Sequence, residues 1–434
     1  MALGGGTFTV QNKILPGAYI NFVSAANASA TLSDRGVAAI GFAVGWGESG
    51  KILEISSEDF QKNSMNIFGC NYTDDKLKDL REVFLNATTV LAYRLDDSEG
   101  KKASCSLGTA RCVGSKGNEL RISVKASEND PEKFEVSTLM GTTVADVQTV
   151  SSAEELVDNE LVAFVKSGTL TAGSVPFEGG ADGSIGEDAH QKFLDKLENY
   201  SFNAVGCVSA NDAVKRLYIS FCKRMRDEVG KKFQCVVHNF AADYEGVINV
   251  KNTVSDSDNS AALVAWVTGV AAGTAVNKSA LNKRYDGEYQ PNTDYKQSEL
   301  EKAILAGEFT LHRVGSEIRV LQDINSLVTI SDTKGELFKD NQTIRVIDQI
   351  GNDIAVLFNT KYLGNVPNDK AGRISLWSDI VKHHRQLMDI RAIEDFSEDD
   401  VVVEQGDSKK SVVVTDYVTV VNAMAKLYMT VTIA

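Results

Sequence analysis

The hydrophobic pattern of the last stretch of the chain, residues 427–433, alternates with a period of two, which is typical of a β-strand. The apolar positions on one side of this stretch are Leu427, Met429, Val431 and Ile433. β-branched runs at 412–414 and 418–421 predict two more extended segments upstream. Residues 422–426 have helical or turn character, and we expect them to separate these runs from the last strand.

The last strand is predicted to be a pairing arm, because the sequence ends one residue after Ile433 and supplies nothing to cover the outer edge of the strand. An uncovered strand edge pairs readily with another chain. The alternative is that this strand belongs to the C-terminal sheet of its own subunit, and the pattern alone leaves both interpretations open.

A similar strand-like run lies near the other end of the chain, at residues 7–13. Its first residues, which we predict to pair with another chain, are Thr7, Phe8, Thr9 and Val10. Three glycines at 4–6 precede the run, and a turn at 15–20 leads into a second extended run at 20–23. The sequence therefore predicts a pairing strand at each terminus.

Between the termini, short buried strands alternate with amphipathic helices. Strands are predicted at 37–44, 89–94, 204–208 and 233–238, and helices at 77–85, 189–197 and 210–229 and from a start at 56–59. On the helix at 210–229, the apolar face is predicted to be Val214, Leu217, Phe221 and Met225. This alternation implies a largely parallel sheet that is covered on both faces.

The longest apolar run, residues 261–276, predicts a buried core helix, because it is shorter than a membrane crossing requires. Gly269 and Gly273 lie four residues apart in this run. They are consistent with a close helix crossing and equally with small residues in a packed core.

The pattern changes between residues 95 and 180, where short alternating strands are separated by Gly, Ser, Asn and Asp turns. Strands are predicted at 103–107, 120–125, 134–138, 142–150 and 162–165. Because the alternation of strands and helices resumes after residue 180, this region is predicted to be a small β domain inserted into an α/β domain.

A long amphipathic helix is predicted after residue 369. Its apolar positions at helical spacing are Ile374, Trp377, Ile380, Val381, His384, Leu387 and Met388. Residues 361–391 contain six Lys or Arg and three Asp, a local excess of +3, and Lys382 and Arg385 share the outward face of the helix. Residues 394–407 hold seven acids and no base, which favours a solvated loop.

The composition is that of a globular protein with two to four domains, since the chain has 434 residues, 43% of them hydrophobic and only 5 of them proline. A net charge of −14 argues against binding to nucleic acid or to an anionic membrane. The first residues do not resemble a secretion signal, so we expect the protein to stay where it is made. The six cysteines form no C-x-x-C motif, and we expect reduced, mostly buried thiols.

The sequence indicates no catalytic residue, metal site or cofactor site. It has no G-x-S-x-G elbow, no phosphate loop with lysine and no H-E-x-x-H motif. Gly179–Gly186 lacks the lysine of a phosphate loop, so a turn between domains is favoured. Cys235 and His238 point to opposite faces of a strand, which favours core packing over a thiol dyad. For His383 and His384, we expect one ring to pack inward and the other to face solvent.

A loop at 256–267 begins like a Ca²⁺-binding loop, but Ala261 and Val267 stand where that loop requires glycine and glutamate. A polar loop at a helix start is the better interpretation.

Six short motifs occur in order along the chain: LPGAYINF at 15–22, Gly-x-x-Gly-Asn-x-Leu at 114–120, Gly-Gly-x-Asp-Gly at 179–183, QDINSL at 322–327, RVID at 345–348 and AMAKLYMTVTI at 423–433. Together they resemble the sheath proteins of contractile phage tails and phage-tail-like bacteriocins. Two positions depart from that pattern: Ala425 stands where an acid is common, and Cys112 where an aromatic residue often precedes the turn.

The resemblance implies a fold class: an α/β core domain with an inserted small β domain, an α+β C-terminal domain, and extended β-strand arms at both termini. The expected domains are an N-terminal arm at 1–24, a discontinuous α/β core at 25–95 and 181–345, the insert at 96–180 and the C-terminal domain at 346–434. In this family the two arms add strands to the C-terminal domains of neighbouring subunits.

The function that the resemblance implies is that of a structural subunit, not an enzyme, which polymerises helically around a tail tube and contracts without a cofactor to drive the tube through a target envelope. The expected partners are other copies of the chain, the tail tube protein, and the baseplate and tail terminator proteins, with no nucleic acid and no membrane insertion. Lys382 and Arg385 are predicted to face an acidic tube. The protein would be located in the bacterial cytoplasm during assembly and then in the tail of a virion or tail-like particle. The alternatives are a receptor-binding or adhesive module and an α/β enzyme with an unrecognised site.

Overall fold

A computed structural model describes residues 32–128, 130 and 132–433 of the chain. The described residues form two compact units. The larger unit comprises residues 34–352 and 420–433, and the smaller unit comprises residues 32–33 and 353–419.

The first part of the larger unit begins the α/β sheet. Its elements are β1 (Val37–Phe42), β2 (Ile52–Ser56), α1 (Ser57–Phe68), α2 (Lys78–Phe84) and β3 (Thr89–Arg94). Helix α1 begins where the polar cluster at 56–59 predicts it, because the Ser56 side chain accepts a hydrogen bond from the Asp59 N–H and caps the helix. Gly69, in the left-handed region, ends it.

The next part of the chain is entirely β. Its strands are β4 (Ser104–Cys105), β5 (Gly108–Ala110), β6 (Leu120–Ala126), β7 (Phe134–Met140), β8 (Thr143–Val150), β9 (Val162–Phe164) and β10 (Gly173–Pro176). They form a four-stranded sheet, in the order β10-β6-β7-β8, and a three-stranded sheet, β4-β5-β9. Leu120, Ile122 and Val124 alternate with exposed or half-buried neighbours and share one core with residues of the second sheet. The predicted β insert is confirmed.

The α/β part of the chain then continues to residue 320. Its elements are α3 (Ala189–Leu197), β11 (Ala204–Gly206), α4 (Asp212–Arg224), β12 (Gln234–His238), β13 (Val247–Val250), α5 (Leu263–Gly273), α6 (Gln297–Leu305), β14 (Glu308–Phe309), β15 (Leu311–Val314) and β16 (Glu317–Val320). The sheet order is β14-β13-β12-β11-β1-β3-β2, and all neighbours are parallel except β2, which runs antiparallel to β3 at one edge. Strands β15 and β16 form a separate hairpin.

Side chains of this sheet alternate between two cores, as a sheet covered on both faces requires. Ala38 and Ile40 of β1 belong to the core that contains α2 and α5. Ala39, between them, belongs to the opposite core with α3 and α4. The predicted parallel sheet with helices on both faces is confirmed.

Helix α4 differs from its prediction in which side chains it buries. Phe221 and Met225 are buried as predicted, whereas Val214 and Leu217 are only partly buried. The structure also buries Tyr218, Ile219 and Cys222. Tyr218 is buried, and its hydroxyl lies 3.0 Å from Nδ1 of His190 on α3. Met225–Val229 continues α4 as a π-helical turn.

Gly269 and Gly273 of α5 make a close helix crossing, which decides between the two sequence-based interpretations. A Cβ atom on Gly269 would lie 2.4 Å from the Val83 carbonyl oxygen, and one on Gly273 would lie 1.8 Å from the Asn86 oxygen. Both contacts are with the backbone at the end of α2 and just after it. Only glycine therefore permits this approach.

The remaining elements are α7 (Asn341–Leu357), α8 (Lys370–Asp389), β17 (Ile393–Glu394), β18 (Val401–Gln405), β19 (Val412–Asp416) and β20 (Thr419–Val420). In the smaller unit, the antiparallel hairpin of β18 and β19 packs with α8 around Leu376, Ile380 and Val401. The predicted solvated loop at 394–407 is therefore wrong. Its acidic residues flank the run Val401–Val403, whose alternate side chains reach the core.

The fold class predicted from the sequence is confirmed: an α/β core, an inserted β region and an α+β C-terminal part. No described helix is both long enough and apolar enough to cross a membrane. The exact domain boundaries stay a prediction.

Candidate functional site

The C-terminal tail carries neither helix nor strand from residue 421 to residue 433. The predicted turn at 422–426 is therefore wrong. The predicted strand has no partner strand within the described part of the chain, and its alternate apolar side chains are exposed. The exposed fractions are 85% for Leu427, 74% for Met429, 68% for Val431 and 91% for Ile433. The tail is an apolar segment whose backbone groups are available to another chain.

The first residues of the tail are fixed to the start of α7. The Gln342 side chain donates to the Val421 carbonyl at 3.0 Å and accepts from the Ala423 N–H at 2.9 Å. The Thr343 hydroxyl and the Asn422 amide also bind each other at 3.1–3.2 Å. Exposure rises to 98% at Met424, directly after these contacts, so the free part of the tail begins there.

The predicted N-terminal arm residues Thr7, Phe8, Thr9 and Val10 lie outside the described residues.

The β18–β19 hairpin supplies strand edges that no other described strand covers. It is a two-stranded sheet with the register Val401 opposite Asp416 and Gln405 opposite Val412. Val413 and Val414 of β19 are exposed to 52% and 39%. A two-stranded ladder leaves the outer edges of both strands without a partner strand, and such edges accept an added strand.

A groove of about 430 Å³ runs along the β18 side of this hairpin. It is lined by Lys370, Arg373, Ile374, Trp377, Val403, Glu404 and Gln405. Ile374, predicted to face the core, is 53% exposed at this groove. The Trp377 ring is held in place because its Nε1–H donates to the Val401 carbonyl at 3.0 Å. The groove therefore offers an apolar floor beside a strand edge that has no partner strand among the described residues, although Trp377 already binds its Val401 carbonyl.

Lys382 and Arg385 both lie on the exposed side of α8, as predicted. Arg385 forms an ion pair with Glu398, so part of its charge is balanced within the chain. Lys361, another base of the segment, pairs with Asp379. Lys382 has no hydrogen bond or ion pair with any residue that the structure describes, which leaves it as the free cation of the two.

His383 and His384 differ from their prediction, since both rings are buried. His383 Nε2 lies 2.9 Å from a carboxylate oxygen of Asp353 on α7, and His384 Nε2 lies 2.8 Å from one of Asp416 on β19. The expectation of one solvated ring fails because helical periodicity cannot reveal carboxylate partners on other elements. Within the described residues, no group of three or more His, Cys, Asp or Glu side chains is arranged to hold a metal.

The two motifs that frame the β insert bind each other. The Asn118 amide donates to the Gly180 carbonyl at 2.9 Å and accepts from the Gly180 N–H at 2.8 Å. Asp182 accepts from the Ser115 N–H at 2.7 Å, and this hydrogen bond lowers the pKa of the Asp182 carboxyl. Residues 179–186 therefore form a structural junction, in agreement with the interpretation as a turn between domains.

The other two internal motifs also meet. Arg345 of the RVID motif donates to Asp323 of the QDINSL motif, at 2.5 Å between Nη2 and Oδ2. Asp323 also accepts from Asn341 Nδ2 at 3.0 Å. Asp348 forms a bidentate pair with Arg226, at 2.6 and 2.7 Å. All four charged side chains are buried, and removing one partner of such a pair costs about 3–5 kcal/mol.

The thiol candidate Cys235 is buried in the core with α3 and α4, and burial raises its pKa well above the ordinary thiol value. Burial lowers the pKa of His238, three residues away on the same strand. Neither shift favours a thiolate and imidazolium pair. The core-packing interpretation of these two residues is therefore preferred.

Four family models match successive parts of the chain. They describe a tail sheath domain III N-terminal region at residues 35–95, a phage tail sheath β-sandwich domain at 97–182, a phage tail sheath central domain at 183–326 and a phage tail sheath C-terminal domain at 333–434. One similar relative is the phage-like element PBSX protein XkdK of Bacillus subtilis, which is 32% identical over 99% of both chains.

Two solved structures are similar over nearly the whole chain. A sheath tail protein from Desulfitobacterium hafniense has 33% sequence identity and a TM-score of 0.79, covering 95% of this chain and 99% of the other. A sheath tail protein from Listeria innocua has 30% identity and a TM-score of 0.81, covering 90% and 93%.

Proposed function

Since this chain belongs to the phage tail sheath family and is a structural subunit of a contractile tail sheath, we propose that it joins its neighbours by donating its C-terminal tail as a β-strand. The tail of one copy pairs with the free edge of the β18–β19 hairpin of another. The observation that carries this proposal is the exposure of four alternate apolar side chains on a tail that has no partner strand within the described chain.

The dimensions of donor and acceptor support this pairing. Seven tail residues span about 23 Å as a strand, and the five residues of β18 span about 17 Å. The tail therefore covers the whole acceptor edge. Its apolar side would lie against Ile374 and Trp377 in the groove, and its polar side would face away.

Side-chain burial decides the strength of this link. About five new backbone hydrogen bonds contribute about 0.5–1.5 kcal/mol each. Ordering seven residues costs about 1–2 kcal/mol each, which exceeds the contribution of the hydrogen bonds. Burying four large apolar side chains contributes about 1.5–3 kcal/mol each, which makes up this difference and leaves a net stabilisation of the link of a few kcal/mol. The alternation of the tail therefore matters more than its backbone alone.

Val431→Pro tests the donor. Proline removes one N–H and fixes φ, which a paired strand tolerates poorly. We expect the variant subunit to keep the wild-type thermal melt and to form no cylinders in electron micrographs. Ala425→Pro is the matched control, since it places the same residue in the exposed tail ahead of the strand and should leave assembly intact.

Ile374→Ser tests the acceptor groove. The side chain is half exposed, so stability of the subunit should change by less than about 0.5 kcal/mol while cylinder formation falls. Normal cylinders from Val431→Pro, or a lower melt of that variant before assembly, would contradict the proposal. The second result would place the tail in the fold of its own subunit.

The tube-facing surface is proposed to be the exposed side of α8 at Lys382, with Arg385 in a lesser role because it already pairs with Glu398. An exposed pair contributes about 0.2–1 kcal/mol, but the contact is repeated along the cylinder. We further propose the tail tube protein as the partner on this surface, and baseplate and tail terminator proteins at the ends of the sheath. Assembly would take place in the host cytoplasm without an enzymatic step, and the product would be part of a virion or tail-like particle.

A further inference from the structure

Two adjacent imidazoles, His383 and His384, form a buried cluster that strand donation does not use. Their Nδ1 atoms lie 3.4 Å apart, and each Nε2 faces a carboxylate oxygen, of Asp353 at 2.9 Å and of Asp416 at 2.8 Å. The Phe396 ring packs 5.1 Å from the His384 ring and closes that side. The cluster is therefore a chain of four titratable groups in which both rings and Asp353 are buried and the Asp416 carboxylate is partly exposed.

The hydrogen-bond roles of these groups fix a proton count. Ionised carboxylates only accept hydrogen bonds, so each Nε2 must carry a hydrogen. If neither Nδ1 carried one, two lone pairs would face each other at 3.4 Å. One proton between the Nδ1 atoms turns this contact into an N–H···N hydrogen bond. The arrangement thus holds three protons on four ring nitrogens, with one imidazolium between two carboxylates.

The same cluster ties together the starts of both terminal segments. Asp353 also accepts from the Ser33 hydroxyl at 2.5 Å, and the Leu32 N–H donates to Gln386 on α8 at 3.1 Å. Asp416 is the last residue of β19, shortly before the C-terminal tail begins. All of these groups except Leu32 and Ser33 come from α7, α8 and β19.

We propose that His383 and His384 are positioning residues that share one proton and form a clasp, which holds the beginning and the end of the described smaller unit on helix α8. The clasp fixes the points from which both terminal segments leave this unit. This inference rests on the proposed function only in naming those segments as the parts that link subunits.

Among the described residues, the charged groups that face the imidazoles are Asp353 from α7 and Asp416 from β19. On α8 itself, Lys382 is exposed and Arg385 pairs with Glu398, so neither is part of the clasp.

The proton count gives the clasp a defined pH dependence. In acid, a fourth proton would place two N–H groups opposite each other, whereas the unfolded chain accepts it freely, so stability rises with pH there. In base, the unfolded histidines together hold one proton fewer than the clasp, so stability falls as pH rises. The smaller unit is therefore most stable at an intermediate pH.

The variant His384→Gln removes the shared proton and keeps the hydrogen bond to Asp416. The glutamine Nε2 can still donate to Asp416, but no Nδ1 remains to share a proton. Protection of the backbone amides at 33 and 412–416 against hydrogen exchange reports opening of the smaller unit; measured from pH 5 to 9, it should show a maximum for the wild type and lose it in His384→Gln. Hydrogen exchange of the backbone amides at 33 and 412–416 should become about tenfold faster in the variant, as expected for the loss of one buried charged hydrogen bond.

His312→Gln is the control, because His312 is half buried on β15, outside the cluster, and its loss should leave the maximum in place. Nitrogen-15 spectra of the histidines in the wild type should show one proton shared by two Nδ1 atoms. A wild-type protection profile without a maximum, a maximum retained in His384→Gln, or spectra with both Nδ1 atoms unprotonated would overturn the clasp. These readouts use subunits before assembly, so a failure of strand donation would leave them unchanged.

Discussion

The close crossing of α5 over the end of α2 gives a sharp test of core packing. In Gly273→Ala, the new methyl group would lie 1.8 Å from the Asn86 carbonyl oxygen, whereas ordinary contacts exceed about 3.4 Å. Because the obstacle is backbone, the two segments must separate by more than 1 Å. Such overpacking costs about 1–3 kcal/mol, or more, and the better helix propensity of alanine returns less than about 1 kcal/mol. We expect a net loss of about 2 kcal/mol.

The assay for this prediction is chemical denaturation of the subunit before assembly, with Gly351→Ala as the matched control. A Cβ on Gly351, inside α7, would lie 3.6 Å from a Lys232 side-chain carbon, which is an ordinary contact. That variant should gain about 0.5–1 kcal/mol. If Gly273→Ala is as stable as Gly351→Ala, the crossing is not close and the reasoning from glycine contacts is refuted.

Three further predictions concern a buried acid, the tube surface and the β insert. Burial raises the pKa of Glu82 from 4.5 to about 7, so the folded state keeps a proton that the unfolded chain releases, and stability falls as pH rises between these values. Glu82→Gln should remove this fall in melts against pH; an unchanged pH profile would contradict it. Lys382→Glu should weaken co-assembly with the tail tube in pull-down assays while Lys125→Glu, the same charge change on the insert, does not; equal binding would refute the tube-facing surface. Replacing residues 96–175 by a short linker should leave a folded subunit that polymerises, and an unfolded circular dichroism spectrum would show that the insert is not an independent domain.

The hydrophobic pattern predicts most of the elements because each is specified by its own residues. The helix predicted at 189–197 is observed as Ala189–Leu197, and all five strands predicted in the insert are present within a few residues. In both cases local periodicity and turn residues suffice, since burial on one face is a property of the segment itself.

Features that depend on distant partners escape this kind of prediction. The inward position of His383, which is not among the apolar positions of its helix, depends on Asp353, which lies 30 residues away. The glycines of α5 could not be interpreted without knowing that Asn86 would lie against them. Strand β18 was not predicted, because the acidic residues around its valines favoured a solvated loop. The alternate positions of Val401 and Val403 nevertheless indicate a strand.

In the functional site, too, local features can be predicted from the sequence and features that depend on distant partners cannot. The tail is readable from sequence because its alternation needs no partner to be visible. The acceptor groove cannot be read from sequence. Ile374 has the helical spacing of a core residue, and its exposure in the groove depends on how β18 packs against α8.

The most direct test of strand donation is hydrogen exchange of the tail amides before and after assembly. In the free subunit, amides at 427–433 should exchange nearly as fast as in an unfolded peptide, because they have no partner strand within the described chain. In assembled cylinders, alternate amides of the tail should become protected together with the outer edge of the β18–β19 hairpin. A tail that exchanges equally fast in cylinders and in free subunits would contradict the claim that this segment links neighbouring copies.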